Sequence, residues 1–186
     1  MKRLSQKGFT ILEFVIYVAL LGIVVTSAAM FAMHFTITQM KAATYAKASR
    51  NAQFAMARIE SEVAQATSIN VGSSTFGSNP GLLTLVTATG GTNPTVFAVS
   101  GGQLTVQQGA GSAVPLTDPS MTVEEFTLEN LIPNGRAQYI RVHIKVTIPA
   151  GNAFQDVSAS VNLDTTVHVR RNDNFTLLEP AYANRS

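Results

Sequence analysis

One carboxylate near the start of the chain stands in a stretch that is otherwise apolar. Glu13 lies within KGFTILEFVIYVALLGIVV, residues 7–25, and 20 residues without a charged side chain, 14–33, follow it. An ionised carboxylate in hydrocarbon costs ~2.5–3.5 kcal/mol even on lenient insertion scales. If this stretch lies in a membrane, Glu13 needs a cationic partner.

The other side chains that could do chemistry do not gather into a second site. Cysteine is absent, which excludes disulfides, thiolate zinc sites and cysteine nucleophiles, and histidine occurs at three positions, His34, His143 and His168. In the strand pairing expected below, His143 lies opposite Asn162. His168 lies opposite Gln138 or Ala137, so the last two histidines are far apart and no metal site is predicted. We also expect no cofactor and no catalytic residue, because no nucleophile–base pair is evident.

The basic character of the chain belongs to its first residues. The formal net charge is +2, and removing residues 1–8, which carry Lys2, Arg3 and Lys7 but no acid, changes it to −1. No later stretch combines dense Lys and Arg with aromatic residues, so a nucleic-acid-binding surface is not predicted.

Residues 14–33 predict a membrane-spanning helix. At ~1.5 Å per residue, a helix of this length spans roughly 30 Å, the thickness of the hydrocarbon core of a bilayer. The positive-inside rule places an N-terminus with Lys2, Arg3 and Lys7 in the cytoplasm. A cleaved secretory signal is the alternative, but an acid within the apolar stretch and the length of that stretch disfavour it. We expect a retained transmembrane helix over residues 9–33, with the rest of the chain outside the cytoplasm.

The helix is predicted to continue beyond the membrane. Residues 39–69 contain no Gly or Pro and are rich in good helix formers. Apolar residues recur at steps of three or four and form one stripe, Met56, Ile59, Val63 and Ala66. We therefore expect one helix from about Phe9 to about Thr67, whose part over 34–69 is amphipathic. Arg58, Glu60 and Glu62 are expected on its solvated face.

Residues 70–171 predict an antiparallel β domain, followed by a loose tail over 172–186. Short strands are expected over 82–86, 95–99 and 103–107, the last two joined by a two-residue hairpin at Gly101-Gly102. The apolar positions change phase near Glu124-Glu125, which indicates a β-bulge. The fold class is therefore α+β, a long N-terminal helix packed on an antiparallel sheet.

Two long strands close this domain. Apolar and polar residues alternate over 140–148 and again over 157–169, so each strand buries one face. Keeping both apolar faces on one side pairs residues whose numbers sum to about 305. This register places Arg141 opposite Asp164 as an exposed ion pair. A turn is expected before the first strand, at Asn134-Gly135.

The heptapeptide Lys7-Gly8-Phe9-Thr10-Ile11-Leu12-Glu13 resembles the prepilin cleavage and methylation motif of type IV pilins and type II secretion pseudopilins. The resemblance rests on a short basic leader, this motif and the helix that follows directly. It implies cleavage between Gly8 and Phe9 and N-methylation of the new amino group on Phe9. It also implies that the carboxylate of Glu13 pairs with the N-terminal amine of a neighbouring subunit.

The resemblance further implies partners and a location. The partners are a prepilin peptidase and methylase, other pilin or pseudopilin subunits, an inner-membrane assembly platform and, before assembly, membrane lipid. The chain is then a single-pass inner-membrane protein that enters a pilus or pseudopilus, and it is not an enzyme. A contact with nucleic acid at a filament tip stays open.

The sequence departs from the family pattern in ways that favour a minor subunit, one that initiates or caps the filament. The membrane helix has no proline and the chain lacks the C-terminal cysteine pair of many major pilins. The order Ile11-Leu12 is also reversed from the usual one, which is a small change. Residues 50–69 are similar in composition to minor pseudopilins of the J/W kind. A major filament subunit, and an unprocessed membrane-anchored binding domain, are the alternatives. Adhesion or motility, type II secretion and competence are not distinguished.

Overall fold

A computed structural model describes residues 10–131, 139–150 and 157–169. The predicted leader, the cleavage position Gly8-Phe9, the turn at Asn134-Gly135 and the tail over 172–186 lie outside the described residues. The predicted α+β architecture is confirmed, with one long helix, α1, packed on antiparallel sheet.

Helix α1 extends over Ile11–Gln65, within two residues of its predicted ends. Thr10 caps its N-terminus, because the Thr10 hydroxyl accepts a hydrogen bond from the backbone N–H of Glu13 at 3.3 Å. At the other end the backbone of Ala66 turns to an extended conformation, and its N–H donates to the carbonyl of Val63. The first half of α1 is long and apolar enough to cross a membrane, and the rest of the described chain does not cover it.

The second half of α1 buries one stripe against the β domain. All four predicted positions are buried, together with three small residues that precede them, Ala48, Ala52 and Ala55. Apart from the adjacent pair Ala55 and Met56, successive positions are three or four residues apart, the spacing of one helix face. The alanines allow the helix backbone to approach the sheet closely, and α1 packs mainly on the last two strands.

Within the described residues, eight antiparallel strands form two sheets. The bounds are β1 Ser68–Ile69, β2 Leu83–Val86, β3 Thr95–Ser100, β4 Gln103–Gln108, β5 Val114–Pro115, β6 Thr122–Asn130, β7 Tyr139–Ile148 and β8 Ala159–His168. Strands β1 to β5 form one sheet in chain order, and β6, β7 and β8 form the other. The sequence predicted six of these strands, but not the two-residue strands β1 and β5 or the division into two sheets. Single-turn 3₁₀ helices occupy Val71–Ser73 and Gly90–Thr92.

Two local predictions about the strands are confirmed. Gly101 and Gly102 join β3 to β4 with φ of 58° and 76°, the left-handed values that a two-residue hairpin of this type needs at both positions. The register between β6 and β7 shifts between Val123 and Glu125, which is the predicted bulge. On both sides of this shift the apolar residues of β6 remain buried because the extra residue changes the phase of alternation.

The predicted register between the two long strands is wrong by two. Ile140 pairs with Val167 and Ile148 with Ala159, so the paired numbers sum to 307. A shift of two residues keeps every side chain on its own face, so alternation identifies the face but not the register. As a result Arg141 lies opposite Thr166 on β8, not opposite Asp164.

The loop between the first 3₁₀ helix and β2 forms hydrogen bonds with the outer edge of β6. The N–H of Gly77 donates to the carbonyl of Leu128 at 2.8 Å, and that of Gly81 donates to the carbonyl of Phe126 at 2.6 Å. A Cβ at position 81 would lie 3.1 Å from the Phe126 oxygen, so glycine suits this close approach. The loop therefore satisfies part of an edge that would otherwise be open to another strand.

Truncating Ile59 should destabilise the β domain. Ile59 is fully buried between α1 and the sheet, whereas Phe54 on the same helix is 60% exposed. We expect Ile59→Ala to lower the free energy of unfolding by about 2–5 kcal/mol through lost burial and a residual cavity. Chemical unfolding of the full chain in detergent micelles, followed by circular dichroism, measures this. Phe54→Ala is the control, and a loss as large as that of Ile59→Ala would contradict the packing.

Candidate functional site

The candidate site lies in the first two turns of α1 and is built from Thr10, Glu13 and Tyr17. The cap at Thr10 starts the helix and places Glu13 in the first turn, where the partial positive charge of the helix N-terminus favours an acid. Tyr17 lies one turn later on the same face, and its hydroxyl donates to Oε1 of Glu13 at 3.3 Å. Glu13 is half-buried on a segment whose neighbouring residues are exposed.

The charge of Glu13 has no counterpart in the part of the chain that the structure describes. No lysine, arginine or histidine among residues 10–131, 139–150 and 157–169 forms an ion pair with it. A carboxylate offers about four lone-pair positions, so one hydrogen bond from Tyr17 leaves capacity for a cation. The arrangement can therefore bind an ammonium group at the start of the helix.

The other residues predicted at this site are not described. Gly8 and Phe9, expected to flank the cleavage, and the three orientation cations Lys2, Arg3 and Lys7 lie outside the described residues. Their roles remain predictions. The described chain begins at Thr10, so the residue expected to carry the new amine directly precedes the helix cap.

The histidines have different neighbours from those predicted. His143 lies opposite Asp164 rather than Asn162, and its Nδ1 is 2.8 Å from Oδ1 of that carboxylate. On the other side of the ring, Nε2 is 3.2 Å from Oε2 of Glu125. His168 lies opposite Tyr139 rather than residue 137 or 138, and the two rings stack with centroids 5.6 Å apart. Both differences follow from the two-residue shift in register.

The described residues contain no cluster of three His, Asp or Glu side chains arranged to hold a metal ion. His34, predicted at the membrane edge, is exposed on α1. The carboxylates of Glu125 and Asp164 contact opposite sides of the His143 ring, so the three groups do not converge on one point.

Ion pairs cover the face of β6–β8 that points away from α1. Arg141 pairs with Glu129 on β6 at 2.9 Å, not with Asp164 as expected. The ammonium of Lys145 is 2.7 Å from Glu124. Their hydrogen bond lowers the pKa of Glu124 and raises the pKa of Lys145. The sequence indicated a bulge at Glu124-Glu125 but not these ion pairs, because their partners on β7 depend on how distant strands pair.

The acids on the second half of α1 also contact the sheets. Arg58 and Glu62, four residues apart on the helix, form an ion pair at 2.7 Å. Glu62 additionally accepts a hydrogen bond from the side chain of Gln108, at 3.2 Å. Glu60 accepts one from the hydroxyl of Thr165, at 2.7 Å. Glu60 is exposed as expected but also contacts β8, whereas Glu62 is half-buried, so the expectation of a solvated face is wrong for Glu62.

A polar cluster fixes the loop before β6 to α1, and sequence reasoning missed it. Asp118 accepts hydrogen bonds from the Ser120 hydroxyl at 2.6 Å and the Ser120 N–H at 2.8 Å, and its other oxygen is 3.3 Å from Lys47 Nζ. These two hydrogen bonds from Ser120, and then Lys47, lower the pKa of Asp118 to about 2. The sequence Asp-Pro-Ser is typical of a turn in which Asp accepts from the residue two positions later, and this signal could have identified part of the cluster.

Comparison with family models matches residues 3–29 to the prokaryotic N-terminal methylation motif. The matched segment contains Gly8, Phe9 and Glu13 and extends into the apolar half of α1. The motif predicted from residues 7–13 is thereby confirmed. No curated protein and no solved structure matched the chain.

The polar cluster predicts acid-sensitive stability. Because the pKa of Asp118 is lower in the folded chain than the ~3.9 of an unfolded one, ionised Asp118 stabilises the fold above about pH 4. This contribution is lost as the pH falls towards about 2. Asp118→Asn should flatten the pH dependence of unfolding between these values, measured by denaturant titration of the full chain in micelles. Ser120→Ala, which keeps the carboxylate, should flatten it partly. An unchanged slope in Asp118→Asn would contradict the assignment.

Proposed function

We propose that this chain, whose N-terminal methylation motif supports a place among type IV pilins and pseudopilins, is a minor subunit that initiates or caps a pilus-like filament. The observation that carries the proposal is the confirmed motif running without interruption into a helix long enough to cross a membrane. The family of this motif is structural rather than enzymatic, and the motif with its apolar helix fits a membrane-anchored pilin.

Processing of the leader creates the group that Glu13 needs. In this proposal a prepilin peptidase cuts between Gly8 and Phe9, and the new amine on Phe9 is methylated. A glycine before the cut presents no side chain to the peptidase, which suits close approach of the backbone. The amine then precedes the Thr10 cap directly. Each subunit thus carries an amine and a carboxylate at the start of the same helix.

The carboxylate of Glu13 pairs with the amine of a neighbouring subunit in the assembled filament. Two opposite charges within a few ångströms make burial in a low-dielectric bundle tolerable, and removing one partner from such a pair typically costs ~3–5 kcal/mol. Because the pair forms at one axial offset between helices, it also sets the register of one subunit on the next. No lysine, arginine or histidine among the described residues forms an ion pair with Glu13. This supports a cationic partner outside the described part of the chain.

The proposed topology follows from the leader charges. Lys2, Arg3 and Lys7 keep the N-terminus in the cytoplasm, residues 9–33 cross the inner membrane, and residues 34–69 continue the helix outside it. The β domain then lies outside the cytoplasm, where it becomes part of the filament surface. The partners are other pilin subunits, the peptidase and methylase, and an assembly platform in the inner membrane.

A minor role is favoured over a major one by two absences in the sequence. Residues 9–33 contain no proline, and the chain contains no cysteine. Proline allows a membrane helix to unwind locally, as the family resemblance implies for many major pilins, and the cysteine pair staples their C-terminal region. A major subunit and an unprocessed membrane-anchored binding domain remain the alternatives.

The mass of the mature N-terminus tests processing. In a sheared filament fraction from the source cells, mass spectrometry should find a chain that begins at N-methylated Phe9. The same sample should contain much less of this chain than of another pilin. A chain that retains Met1 would support the unprocessed alternative, and a chain that is the most abundant pilin would support a major subunit.

Substituting Glu13 tests the proposed pair. Glu13→Val removes the charge, so insertion into the membrane should be at least as favourable, while recovery in the filament fraction should fall by at least tenfold. Immunoblots of membrane and filament fractions measure both quantities. Glu129→Val removes an exposed acid from the β domain and should assemble normally. Incorporation of Glu13→Val at the parental level would contradict the pairing.

A further inference from the structure

We infer that Tyr17 is a positioning residue. Its hydroxyl holds the Glu13 carboxylate in the position where it meets the amine of the neighbouring subunit. The inference rests on the proposed pairing of Glu13 and extends it to a second side chain. It assigns a specific role to a polar group in the membrane-spanning half of α1.

The geometry places the two groups in contact on one helix face. Tyr17 is four residues after Glu13, and its hydroxyl donates to Oε1 at 3.3 Å. This distance is long for an O–H···O bond, for which ~2.7–2.8 Å is typical. In hydrocarbon no water competes for either group, so the surroundings favour a shorter bond.

The other hydroxyls of this half of the helix are used differently. Thr26 donates to the carbonyl of Gly22 at 2.8 Å, and Ser27 donates to the carbonyl of Ile23 at 2.7 Å. Within a membrane helix, the hydroxyl groups of Ser and Thr usually form such hydrogen bonds with carbonyls of the preceding turn. A tyrosine hydroxyl lies too far from its own backbone to do this. Among the described residues of this half, Tyr17 is the side chain that donates to Glu13.

The contact has two consequences before assembly. First, a hydrogen bond to the charged form of Glu13 lowers the free-energy cost of a carboxylate in the bilayer before the subunit enters the filament. Second, it engages one carboxylate oxygen and restricts the rotamers of the side chain. The second oxygen then presents the acceptor to the incoming amine in a narrow range of positions, which reduces the conformational entropy lost on pairing.

Tyr17→Phe isolates the hydroxyl, because it keeps the ring and its apolar area. We expect this variant to be processed and inserted like the parent, and its recovery in filaments to fall by about tenfold, the loss expected for one hydrogen bond to a charged group. Tyr45→Phe is the matched control. Tyr45 lies on the same helix beyond the membrane-spanning half and is 56% exposed, so its change should leave assembly at the parental level.

Two further variants separate positioning from packing. Tyr17→Trp restores a ring N–H donor and should recover part of the assembly that Tyr17→Phe loses. In a Glu13→Val background, Tyr17→Phe should cause no further loss, since the acceptor is gone. A loss from Tyr17→Phe that is equally large in the Glu13→Val background would show that the hydroxyl does not act through Glu13, and it would overturn the inference.

The outcomes for the two residues are distinguishable. If Glu13→Val assembles like the parent, the proposed pairing itself fails. If Glu13→Val is defective while Tyr17→Phe assembles like the parent, the pairing stands and only the role of Tyr17 is overturned. A third outcome is that Tyr17→Phe fails to insert or to be processed. The amount of the variant in the membrane fraction and its N-terminal mass would show this, and the positioning role would also be overturned.

Discussion

The burial of one carboxylate at the start of an apolar helix is the constraint on which the proposed function depends. Glu13 carries a charge in a segment that is otherwise suited to lipid, and among the described residues its carboxylate accepts a hydrogen bond from the hydroxyl of Tyr17. A buried charge without an opposite charge is strongly destabilising. In the proposed function, the opposite charge is the amine that cleavage at the methylation motif exposes on a neighbouring subunit.

The continuity of α1 connects this site to the β domain. The same helix extends over Ile11–Gln65, so its apolar half and its buried stripe belong to one continuous helix. The stripe from Ala48 to Val63 packs on β7 and β8, and polar links from Glu60, Glu62 and Lys47 hold the helix to the strands and to the loop before β6. An ion pair that sets the axial position of the helix would therefore also set the position of the β domain on the filament surface.

The sequence predicted the fold and the site to different degrees, for physical reasons. Periodicity identified the helix, its buried face, the hairpin at Gly101-Gly102 and the bulge, because each depends on neighbouring residues. The register of β7 on β8 was wrong by two, because a shift of two preserves both faces. The neighbours of His143 and the links from Glu60 and Asp118 were missed, since they join residues far apart in the chain. Glu13 was recognised because a single charge in an apolar stretch is conspicuous without any tertiary information, whereas Tyr17 was not, because a tyrosine there is ordinary.

The distance between the methylated amine and the Glu13 carboxylate in assembled filaments tests the central claim most directly. An apolar carbodiimide activates a carboxylate, and an amine in contact with that carboxylate then displaces the activating group and forms an amide. Mass spectrometry of filaments enriched for this chain can detect such a cross-link even when the subunit is scarce. The pairing predicts a peptide in which Glu13 is bonded to the N-methylated N-terminus of another pilin, because the two groups lie within the ion-pair distance of about 4 Å. Filaments that contain the chain and form other carboxylate–amine cross-links, but lack this peptide, would contradict the claim.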